Sequence, residues 1–533
     1  MEIISRVSLR NRATAQPMEP HLELPLLKRA QEGDYAFALT TATDLETGAA
    51  GSFCGIGSAT SLVSPPLPGE QYRFHFDMTK CIGCKCCVVA CNEQNGNPAD
   101  ILWRRVGEIE GGAYPNTQRH YLSMGCNHCL EPTCMTGCPV NAYSKDSLTG
   151  IVRHSADACI GCQYCTWNCS YGVPQYNSER GVVGKCDMCY GRLMAGQEPA
   201  CVTACPEDAI RIETVLVDEW RKQYRNDANA PGMPSADDSL SSTRITLPSI
   251  IPSDVRKVDL GHLRLEQPHW PLIVMTVLTQ LSVGGFASIW VMQVLGARAQ
   301  RLAALVTLFV ALLALMASTL HLGRPIHAIR ALKMWRRSWL SREVLLFTLF
   351  TGAATIYSAA LWFDDSRSWI LGVFTAILGI SGVSASARLY LVPGRPAWNS
   401  PFTILEFIAT SVLLGSSVAE ILPGAGSGAR SILPLAVALT VLVSVSKLAW
   451  LALSSVQELH KTWQLLSTLL LRQMSARFVA LAVGALCALS QDRMINVAAA
   501  LLILAGEFTS RYLFFVSVVP TNMAAGYLAQ EAA

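Results

Sequence analysis

The sequence predicts two unlike parts: a cysteine-rich α+β domain, and after it an all-α membrane domain of eight transmembrane helices. Two observations support this division. Of the 19 cysteines, 18 lie at or before Cys205. The long apolar segments with few charges all begin after Trp270. A composition of 51% hydrophobic and 15% charged residues therefore averages a metal-holding domain and a lipid-embedded one.

Composition also excludes two classes of protein. A formal net charge of +3 is too small to argue for nucleic acid, and no aromatic and basic stripe that grips a single strand is visible, so we expect no nucleic-acid partner. A secreted disulfide scaffold is usually short and follows a signal peptide. Residues 1–20 have no apolar core and no twin-arginine pair, so we expect reduced thiols that hold metal.

The chain divides into four predicted regions. Residues 1–70 show no sustained periodicity of apolar residues, and we expect an extended arm that wraps a partner subunit or serves as a tether. Cys54 lies in this arm without a neighbouring cysteine at ligand spacing, which favours an ordinary thiol. The other regions are a domain of short strands, turns and cysteine motifs, a polar linker rich in Pro, Ser and Asp, and the membrane anchor, at 71–215, 216–268 and 269–533.

Long apolar runs predict the membrane domain. A helix needs roughly 20 apolar residues to cross the hydrocarbon core, and most of the runs reach that length. So many long runs in one block would leave a soluble helix bundle without a polar face. The seventh run is the weakest, since it is short and bounded by Arg477 and Asp492. The eight runs cover approximately residues 271–296, 302–321, 344–363, 368–391, 402–422, 431–453, 475–490 and 495–519.

Sixteen cysteines form four groups with the spacing of iron-sulfur ligands. In the bacterial ferredoxin run C-x2-C-x2-C-x3-C, three thiolates close in sequence hold one cubane and the fourth holds its neighbour. The first and third groups repeat this spacing, and Pro139 and Pro206 follow the second and fourth. Four [4Fe-4S] clusters in a ferredoxin-like fold are predicted, with each pair of groups sharing two clusters. The groups are Cys81, Cys84, Cys87 and Cys91; Cys126, Cys129, Cys134 and Cys138; Cys159, Cys162, Cys165 and Cys169; and Cys186, Cys189, Cys201 and Cys205.

Structural zinc is the main alternative for these cysteines. It also uses C-x2-C pairs, but it gives no reason for a triplet with a trailing fourth cysteine. Cys91 and Cys169 depart from the simplest ferredoxin run because no proline follows them. Cys86 is a spare thiol inside the first group; Cys87 alone preserves the spacing, so we expect Cys86 to be a small buried packing residue.

Several segments resemble the dimethyl sulfoxide reductase family. FDMTKCIGC at Phe76–Cys84 and GKCDMC at Gly184–Cys189 resemble its iron-sulfur subunit, over residues 71–215. HLGRP at His321–Pro325 and SWLSRE at Ser338–Glu343 resemble its eight-helix membrane anchor subunit. The two subunits are normally separate chains, so the resemblance implies a fusion.

The resemblance also implies which cysteines share a cluster. The first group pairs with the fourth and the second with the third, which defines four sites. Sites 1 and 2 are implied to face a molybdopterin catalytic subunit, and sites 3 and 4 the membrane. Site 1 is Cys81, Cys84, Cys87 and Cys205; site 2 is Cys186, Cys189, Cys201 and Cys91; site 3 is Cys126, Cys129, Cys134 and Cys169; site 4 is Cys159, Cys162, Cys165 and Cys138.

Ionisable residues at the helix ends are candidates for a quinone site, because a membrane buries such groups only at a cost. Glu343 opens the third predicted helix and His321 closes the second, so both meet at one membrane face. A carboxylate or imidazole takes a proton when quinol is oxidised. We predict Glu343 first and His321 second, with weaker candidates at Glu406 and Glu420. The alternative is that Glu343 caps its helix or pairs with the preceding arginine.

No haem is expected. A haem-carrying anchor needs axial ligands inside helices, usually paired histidines, whereas His321, His327 and His460 lie near helix ends. Electrons are therefore expected to pass directly between quinone and the nearest cluster.

Basic residues predict which side of the membrane holds the clusters. Eight crossings place both ends of the chain on one face, and the positive-inside rule puts that face in the cytoplasm of a bacterial or archaeal cell. A basic loop that docks the cluster domain is the competing explanation. The cluster face carries Arg324, Arg330, Lys333, Arg336, Arg337, Arg342, Arg388, Arg395, Lys461, Arg472 and Arg477, and the other face carries Arg298, Arg301, Arg367, Arg430 and Arg493.

The leading functional hypothesis is an electron conduit between the quinone pool and a separate molybdopterin subunit that oxidises sulfite or reduces nitrate, dimethyl sulfoxide or polysulfide. No Gly-rich dinucleotide fingerprint follows a credible strand. Two alternatives stay open. The membrane half is a passive anchor while the clusters serve a soluble donor or acceptor, or it translocates ions, for which Lys447, Glu406 and Glu420 are the candidates.

Overall fold

The computed structural model describes residues 63–258, 265–296, 300–363, 368–422, 427–490 and 492–522. Cys54 and nearly all of the predicted N-terminal arm lie outside these residues. The last positions of that region enter a β-strand at Glu70. The first described element is therefore the strand that opens the cysteine-rich domain.

Short strands and helices alternate through residues 70–257, which confirms the α+β prediction. The strands are β1 Glu70–Asp77, β2 Arg105–Gly111, β3 Gln118–Met124, β4 Tyr143–Lys145, β5 Val152–His154, β6 Gln175–Asn177, β7 Val182–Gly184, β8 Ile210–Leu216, β9 Arg244–Thr246 and β10 Arg256–Lys257. The helices are α1 Cys86–Asn95, α2 Thr133–Gly137, α3 Tyr164–Asn168, α4 Tyr190–Met194, α5 Ala200–Thr203 and α6 Val217–Asp227. The sheets have the orders β8-β1-β9 and β10-β2-β3, and two hairpins join β4 to β5 and β6 to β7.

Strand β1 joins the two ends of the cysteine-rich region. Its side chains Tyr72, Phe74 and Phe76 alternate along the strand and are buried, as a half-buried strand requires. β1 pairs antiparallel with β8, so that Tyr72 lies opposite Thr214. Helices α1, α2, α3 and α5 carry cysteines, and the sheets serve as the frame that positions them.

The segment predicted as a polar linker instead folds onto this domain within residues 216–258. Trp220 of α6 is fully buried, donates a hydrogen bond to the carbonyl of Ser241 at 2.9 Å, and lies under the guanidinium of Arg73 at 4.5 Å. β9 pairs parallel with β1, and β10 pairs antiparallel with β2. The linker prediction was wrong here because strands of two and three residues take their partners from distant parts of the chain, which local composition does not reveal.

The second half is helical, as predicted. Its helices are α7 Trp270–Val294, α8 Arg301–Leu320, α9 Trp339–Trp362, α10 Ser368–Leu389, α11 Pro401–Ile421, α12 Ser427–Leu453, α13 Gln457–Ser467, α14 Leu471–Cys487 and α15 Arg493–Val516. Among the described residues, seven helices are long and apolar enough to cross a membrane, or eight if α13 and α14, which meet at a 71° bend, form one span. The weak seventh run is α14, and α13 before it was not predicted.

One end of the helix bundle contacts the cysteine-rich domain. Lys257 ends strand β10 and forms an ion pair with Glu458 of α13 at 2.8 Å. The same ammonium donates a hydrogen bond to the carbonyl of Thr521, 2.7 Å away, just beyond α15. The hydroxyl of Thr521 in turn donates to the carbonyl of Ser170. These contacts place the start of α13 and the end of α15 on the cluster face, as alternating crossings require.

Charged side chains also pair between the membrane helices. Glu406 of α11 and Lys447 of α12 lie 2.7 Å apart, and each side chain is 13% exposed. Thr410 donates a hydrogen bond to Glu507 of α15 at 2.6 Å. Arg511, also on α15, donates to the amide oxygen of Gln280 at 3.0 Å. These polar groups pair with one another between helices, which is how membrane domains tolerate them.

Replacing Lys447 by Met should destabilise the membrane domain, because it leaves the Glu406 carboxylate buried without its partner. Removing one member of a buried ion pair costs about 3 to 5 kcal/mol. The measurement is the thermal unfolding temperature of the purified protein in detergent. The double variant Glu406→Leu/Lys447→Met should recover most of the loss; equal unfolding temperatures for the single and double variants would contradict the pairing.

Candidate functional site

Cysteines from opposite ends of the domain meet in site 1. A small cavity is lined by Cys81, Cys84, Cys87 and Cys205 together. The pKa of the Cys81 thiol is raised to about 11, mainly by burial and in part by the charges of Cys87, Cys205 and Cys84. Cys205 belongs to the fourth sequence group, so β1 and β8 bring the first and fourth groups into one pocket.

Site 2 contains Cys91, the one cysteine among the four of the first sequence group that is not part of site 1. Burial raises the pKa of Cys91, and the nearby charges of Cys186, Cys201 and Cys189 add to the effect. The guanidinium of Arg104 opposes this rise. Sites 1 and 2 therefore exchange one cysteine each, since Cys91 on α1 and Cys205 after α5 cross over.

Sites 3 and 4 have the same exchange. Burial raises the pKa of Cys134 well above its usual value, and the charge of Cys169 contributes most among the neighbouring thiols. Burial likewise raises the pKa of Cys165, with Cys162, Cys159 and Cys138 as the neighbouring charges. The four cysteines that the resemblance assigns to each site thus lie near one another, and their role as ligands of a shared cluster stays a prediction.

Backbone amides donate to the sulfur atoms of these sites. The amide of Met188 lies 3.4 Å from Cys186 Sγ, and the amide of Gly161 lies 3.4 Å from Cys159 Sγ. Gly161 has φ +69, the left-handed conformation that lets the C-x2-C loop turn its amide inward. Such donors suit thiolates with their negative charge. Within the described residues, no group of three or more His, Cys, Asp or Glu side chains is placed to hold a single metal ion. The triplet spacing of the cysteines is typical of polynuclear clusters rather than zinc.

Cys86 corrects one prediction. Expected to be buried, it is exposed at the first position of α1, whereas Cys87 beside it is buried and lines the site 1 cavity. Successive helical residues point about 100° apart, so only one of two adjacent cysteines can face the site. The spacing argument for Cys87 as the inward-facing residue does not require its neighbour to be buried.

Two models of known protein families match this chain. Residues 265–516 match the family model described as DMSO reductase anchor subunit (DmsC), and residues 117–215 match the model described as 4Fe-4S dicluster domain. One subunit of the anaerobic dimethyl sulfoxide reductase of Haemophilus influenzae is 37% identical over 191 residues, which cover 88% of that protein and 34% of this one. This protein belongs to the dimethyl sulfoxide reductase family.

Other relatives are subunits of different oxidoreductases. A subunit of the sulfite dehydrogenase of Allochromatium vinosum is 34% identical over 26% of this chain and 67% of its own length. The iron-sulfur subunit of the nitrate-inducible formate dehydrogenase of Escherichia coli is 36% identical over 30% of this chain and 60% of its own length. This dimethyl sulfoxide reductase family member thus fuses an iron-sulfur subunit to a membrane anchor, and it has an electron-transfer and membrane-anchor role.

The anchor motif that resembles the family docks onto site 4. The backbone amide of Arg324 donates to the carbonyl of Ile160 at 3.1 Å, and its guanidinium donates to the carbonyl of Ala156 at 2.9 Å. Ser338 at the other end of the loop donates to the carbonyl of Gly137 at 2.6 Å. The loop between α8 and α9 therefore contacts the chain on both sides of the site 4 cysteines.

Three glycines make this contact close. Gly323 of the anchor loop faces Gly161 and Gly181 of the cluster domain, and its amide donates to the carbonyl of Gly161 at 3.3 Å. A Cβ on Gly323 would overlap the carbonyl oxygen of Gly181 and approach the hydroxyl of Tyr176 to 2.7 Å. Any larger residue at position 323 would push the two domains apart.

The variant Gly323→Val should therefore lower the rate at which quinol reduces the clusters by at least about tenfold, since small misplacements of reacting groups are costly. Iron content should stay at the wild-type level, because no cysteine is disturbed. The matched control is Gly352→Val, in α9, where a Cβ meets nothing within 4 Å. Equal rates for both variants would contradict a functional junction at Gly323.

Glu343 lies near the start of α9, beside the cluster domain. It is buried, and neither proposed alternative role is seen: the helix cap at Ser338 uses no side chain, and Arg342 donates instead to the carbonyls of Trp335 and Arg336. The hydroxyl of Ser386 is the polar side chain beside the Glu343 carboxyl group, and no other hydrogen-bond partner of Glu343 Oε1 is found among the described residues. A buried carboxyl group with so few partners keeps hydrogen-bonding capacity for a polar ligand.

Two tyrosines connect Glu343 to its surroundings. Burial raises the pKa of Tyr164 in α3, and the nearby Glu343 carboxylate raises it further. Burial also raises the pKa of Tyr390, which follows α10, and the Glu343 carboxylate adds to that rise. Tyr164 stands between Cys162 and Cys165 in the sequence, so Glu343 adjoins site 4. Sequence reasoning missed both tyrosines, although the place of Tyr164 inside a cysteine motif was a usable signal.

His321 ends α8 on the same face, but the structure does not join it to Glu343. Its imidazole lies near the backbone of Ser318 and the ring of His269. Burial lowers the pKa of His321 to about 4, so its imidazole is neutral near pH 7. His269 packs edge-on against Trp167 of the cluster domain at 5.1 Å.

The weaker candidates lie elsewhere. Glu406 is paired with Lys447, and Glu420 is buried in the last turn of α11, at the end of the bundle away from the cluster domain. A cavity of about 730 Å³ lies between α7, α10, α11 and α12, with Val283, Ala287 and Val412 among its lining residues. Among the described residues that line it, none is ionisable.

Proposed function

We propose that this chain passes electrons between quinone or quinol in the membrane and a separate molybdopterin catalytic subunit, with one [4Fe-4S] cluster at each of sites 1 to 4. The observation that carries the proposal is the position of Glu343. This buried carboxyl group of the membrane domain lies beside Tyr164, within the site 4 motif. A proton acceptor thereby adjoins the cluster site that contacts the anchor.

The sixteen cysteines of sites 1 to 4 are the proposed ligands, and each cluster when bound supplies a one-electron carrier. Quinol oxidation releases two electrons and two protons. Glu343 accepts a proton from a quinol hydroxyl, and the neutral imidazole of His321 at the same face is the second acceptor.

A catalytic partner is supported by the relatives, which are subunits of dimethyl sulfoxide reductase, sulfite dehydrogenase and formate dehydrogenase. We propose that sites 1 and 2 face this partner, because the anchor contacts site 4 at the other end of the domain. Sulfite oxidation or nitrate reduction is the favoured reaction of the partner if the clusters face the cytoplasm; dimethyl sulfoxide or polysulfide reduction is the alternative.

Direct transfer between quinone and site 4 needs no haem, and we propose that the anchor holds none. His321 and His327 lie in the docking loop, and His460 lies in α13 on the cluster face. His269, which sequence reasoning overlooked, is packed between the rings of Trp167 and Phe515. Paired axial ligands would have to face each other from the interior of two helices.

The cluster domain is proposed to face the cytoplasm. Eleven arginines and lysines on that face against five on the other support it, because the positive-inside rule acts while the helices insert. Several of these arginines, such as Arg324 and Arg330, donate to carbonyls of the cluster domain, so docking also explains part of the excess.

Labelling decides the orientation. Arg493 is exposed and opens α15 at the far end of the bundle. In the Arg493→Cys variant, a membrane-impermeant maleimide should label this position in intact spheroplasts. Labelling only after the membrane is opened would place the clusters outside the cytoplasm.

The proposed function itself is tested by adding a quinol analogue to the purified membrane complex and recording cluster reduction by electron paramagnetic resonance. Reduction by quinol supports the conduit. Clusters that respond to dithionite but not to quinol would favour the passive anchor with a soluble donor.

A further inference from the structure

The junction between sites 2 and 3 differs from the other two junctions. Sites 1 and 2 exchange Cys91 and Cys205, and sites 3 and 4 exchange Cys138 and Cys169, so each pair is tied through its own ligand frame. No cysteine is exchanged between sites 2 and 3. Lys185 occupies this junction instead: it directly precedes Cys186 of site 2, and its Nζ lies 3.7 Å from Sγ of Cys126 of site 3.

Lys185 is held there by a complete set of acceptors. Its side chain is buried, and besides Cys126 Sγ its Nζ donates to the carbonyl of Cys186 at 2.7 Å and to the carbonyl of Val152. An ammonium group has three protons to donate, and three acceptors surround it. The negative groups that act on it are mainly thiolates of the two sites, with Asp187 as the weakest of them.

A histidine spans the same junction. His128 is fully buried, its backbone amide donates to Cys126 Sγ at 3.4 Å, and its Nε2 lies 3.9 Å from Cys186 Sγ. Its Nδ1 accepts from the amide of Val152 at 3.0 Å, which leaves the proton on Nε2, directed at site 2. One cation and one neutral ring thus connect the sulfur atoms of both sites.

We propose that Lys185, oriented by Val152 and accompanied by His128, is a positioning residue whose fixed charge raises the reduction potentials of the clusters at sites 2 and 3 together. The inference rests on the proposed presence of those clusters. Each added electron makes a cluster more negative, and a buried cation a few ångströms away stabilises that charge strongly because little water screens it. One residue therefore shifts the potentials of the two central carriers in the same direction.

The experiment is a potentiometric titration of the purified, cluster-loaded membrane complex with redox mediators, followed by electron paramagnetic resonance. In Lys185→Met, two of the four clusters should become harder to reduce, by at least tenfold in the ratio of reduced to oxidised form at a fixed potential, which is 59 mV for a one-electron couple. The other two should not change. Lys185→Arg keeps the charge and should restore both.

Lys145 provides the matched control. Its Nζ donates to the carbonyl of Cys129 at 2.8 Å, so it lies beside site 3 alone. Lys145→Met should therefore shift at most one cluster. A shift of one cluster, of none or of all four in Lys185→Met would overturn the proposal, as would the same shift in Lys185→Arg.

Two features keep this test decisive. If Lys185→Met binds fewer than about sixteen irons per chain, Lys185→Gln is titrated instead, since its amide keeps hydrogen bonds without the charge. Because the titration uses mediators and no quinol, its outcome is independent of the quinone site. Loss of quinol reduction with an intact shift would count against the proposed function only.

Discussion

Replacing Glu343 by Gln should lower the rate at which a quinol analogue reduces the clusters by about a hundredfold or more, the usual effect of removing a general base. Glutamine has nearly the same size as glutamate, yet it cannot accept a proton. The carboxyl group is buried beside the site 4 motif, so no water replaces it easily. Dithionite should still reduce all clusters, and the measurement is stopped-flow absorbance of the clusters after mixing with quinol.

Glu420→Gln is the matched control for this variant. Glu420 is also buried, but it lies in the last turn of α11 at the opposite end of the membrane domain. Its variant should keep the wild-type rate. If Glu420→Gln loses the activity and Glu343→Gln retains it, the quinone site lies at the far face and the present assignment is wrong.

The second large effect concerns the exchange of cysteines between sites 3 and 4. Cys134→Ser and Cys169→Ser should each cost one cluster, or about four of some sixteen irons. The double variant should lose no more than the more severe single variant, because both cysteines belong to site 3. Iron per chain in the purified complex is the measurement, with signal loss in the resonance spectrum as a second readout.

Cys165→Ser combined with Cys169→Ser should behave differently. These neighbours in sequence belong to sites 4 and 3, so their losses should add and remove two clusters, about eight irons. If consecutive cysteines shared a cluster, the outcomes of the two double variants would be reversed. Cys86→Ser should keep every iron, because this exposed thiol does not line the site 1 cavity.

The metal chemistry could be predicted from sequence because it depends on spacing. A cubane accepts three thiolates from one short loop, so the C-x2-C-x2-C frame distinguishes Cys87 from Cys86 without knowledge of the fold. The membrane half was predictable for a similar reason, since each span must supply its own apolar length. The bend between α13 and α14 was missed because a helix break in the middle of a segment is decided by packing.

The residues around Glu343 could not be predicted in the same way. Tyr164 belongs to the cluster domain and approaches Glu343 only when the loop after α8 docks onto site 4, whereas Tyr390 reaches it from the end of the next membrane helix. That docking depends on the absence of a Cβ at Gly323 facing Gly181, a relation between residues far apart in the chain. For the same reason residues 216–258 were predicted to be a linker, although their strands pair with strands far away in the chain.

The most direct test of the central claim is electron paramagnetic resonance of the purified membrane complex at low temperature, with iron quantitation, before and after a reduced quinol analogue is added. For a four-cluster conduit we expect about sixteen irons per chain, and mutually coupled cluster signals that appear when quinol is added. A full complement of iron with no response to quinol would contradict the link between the clusters and the membrane.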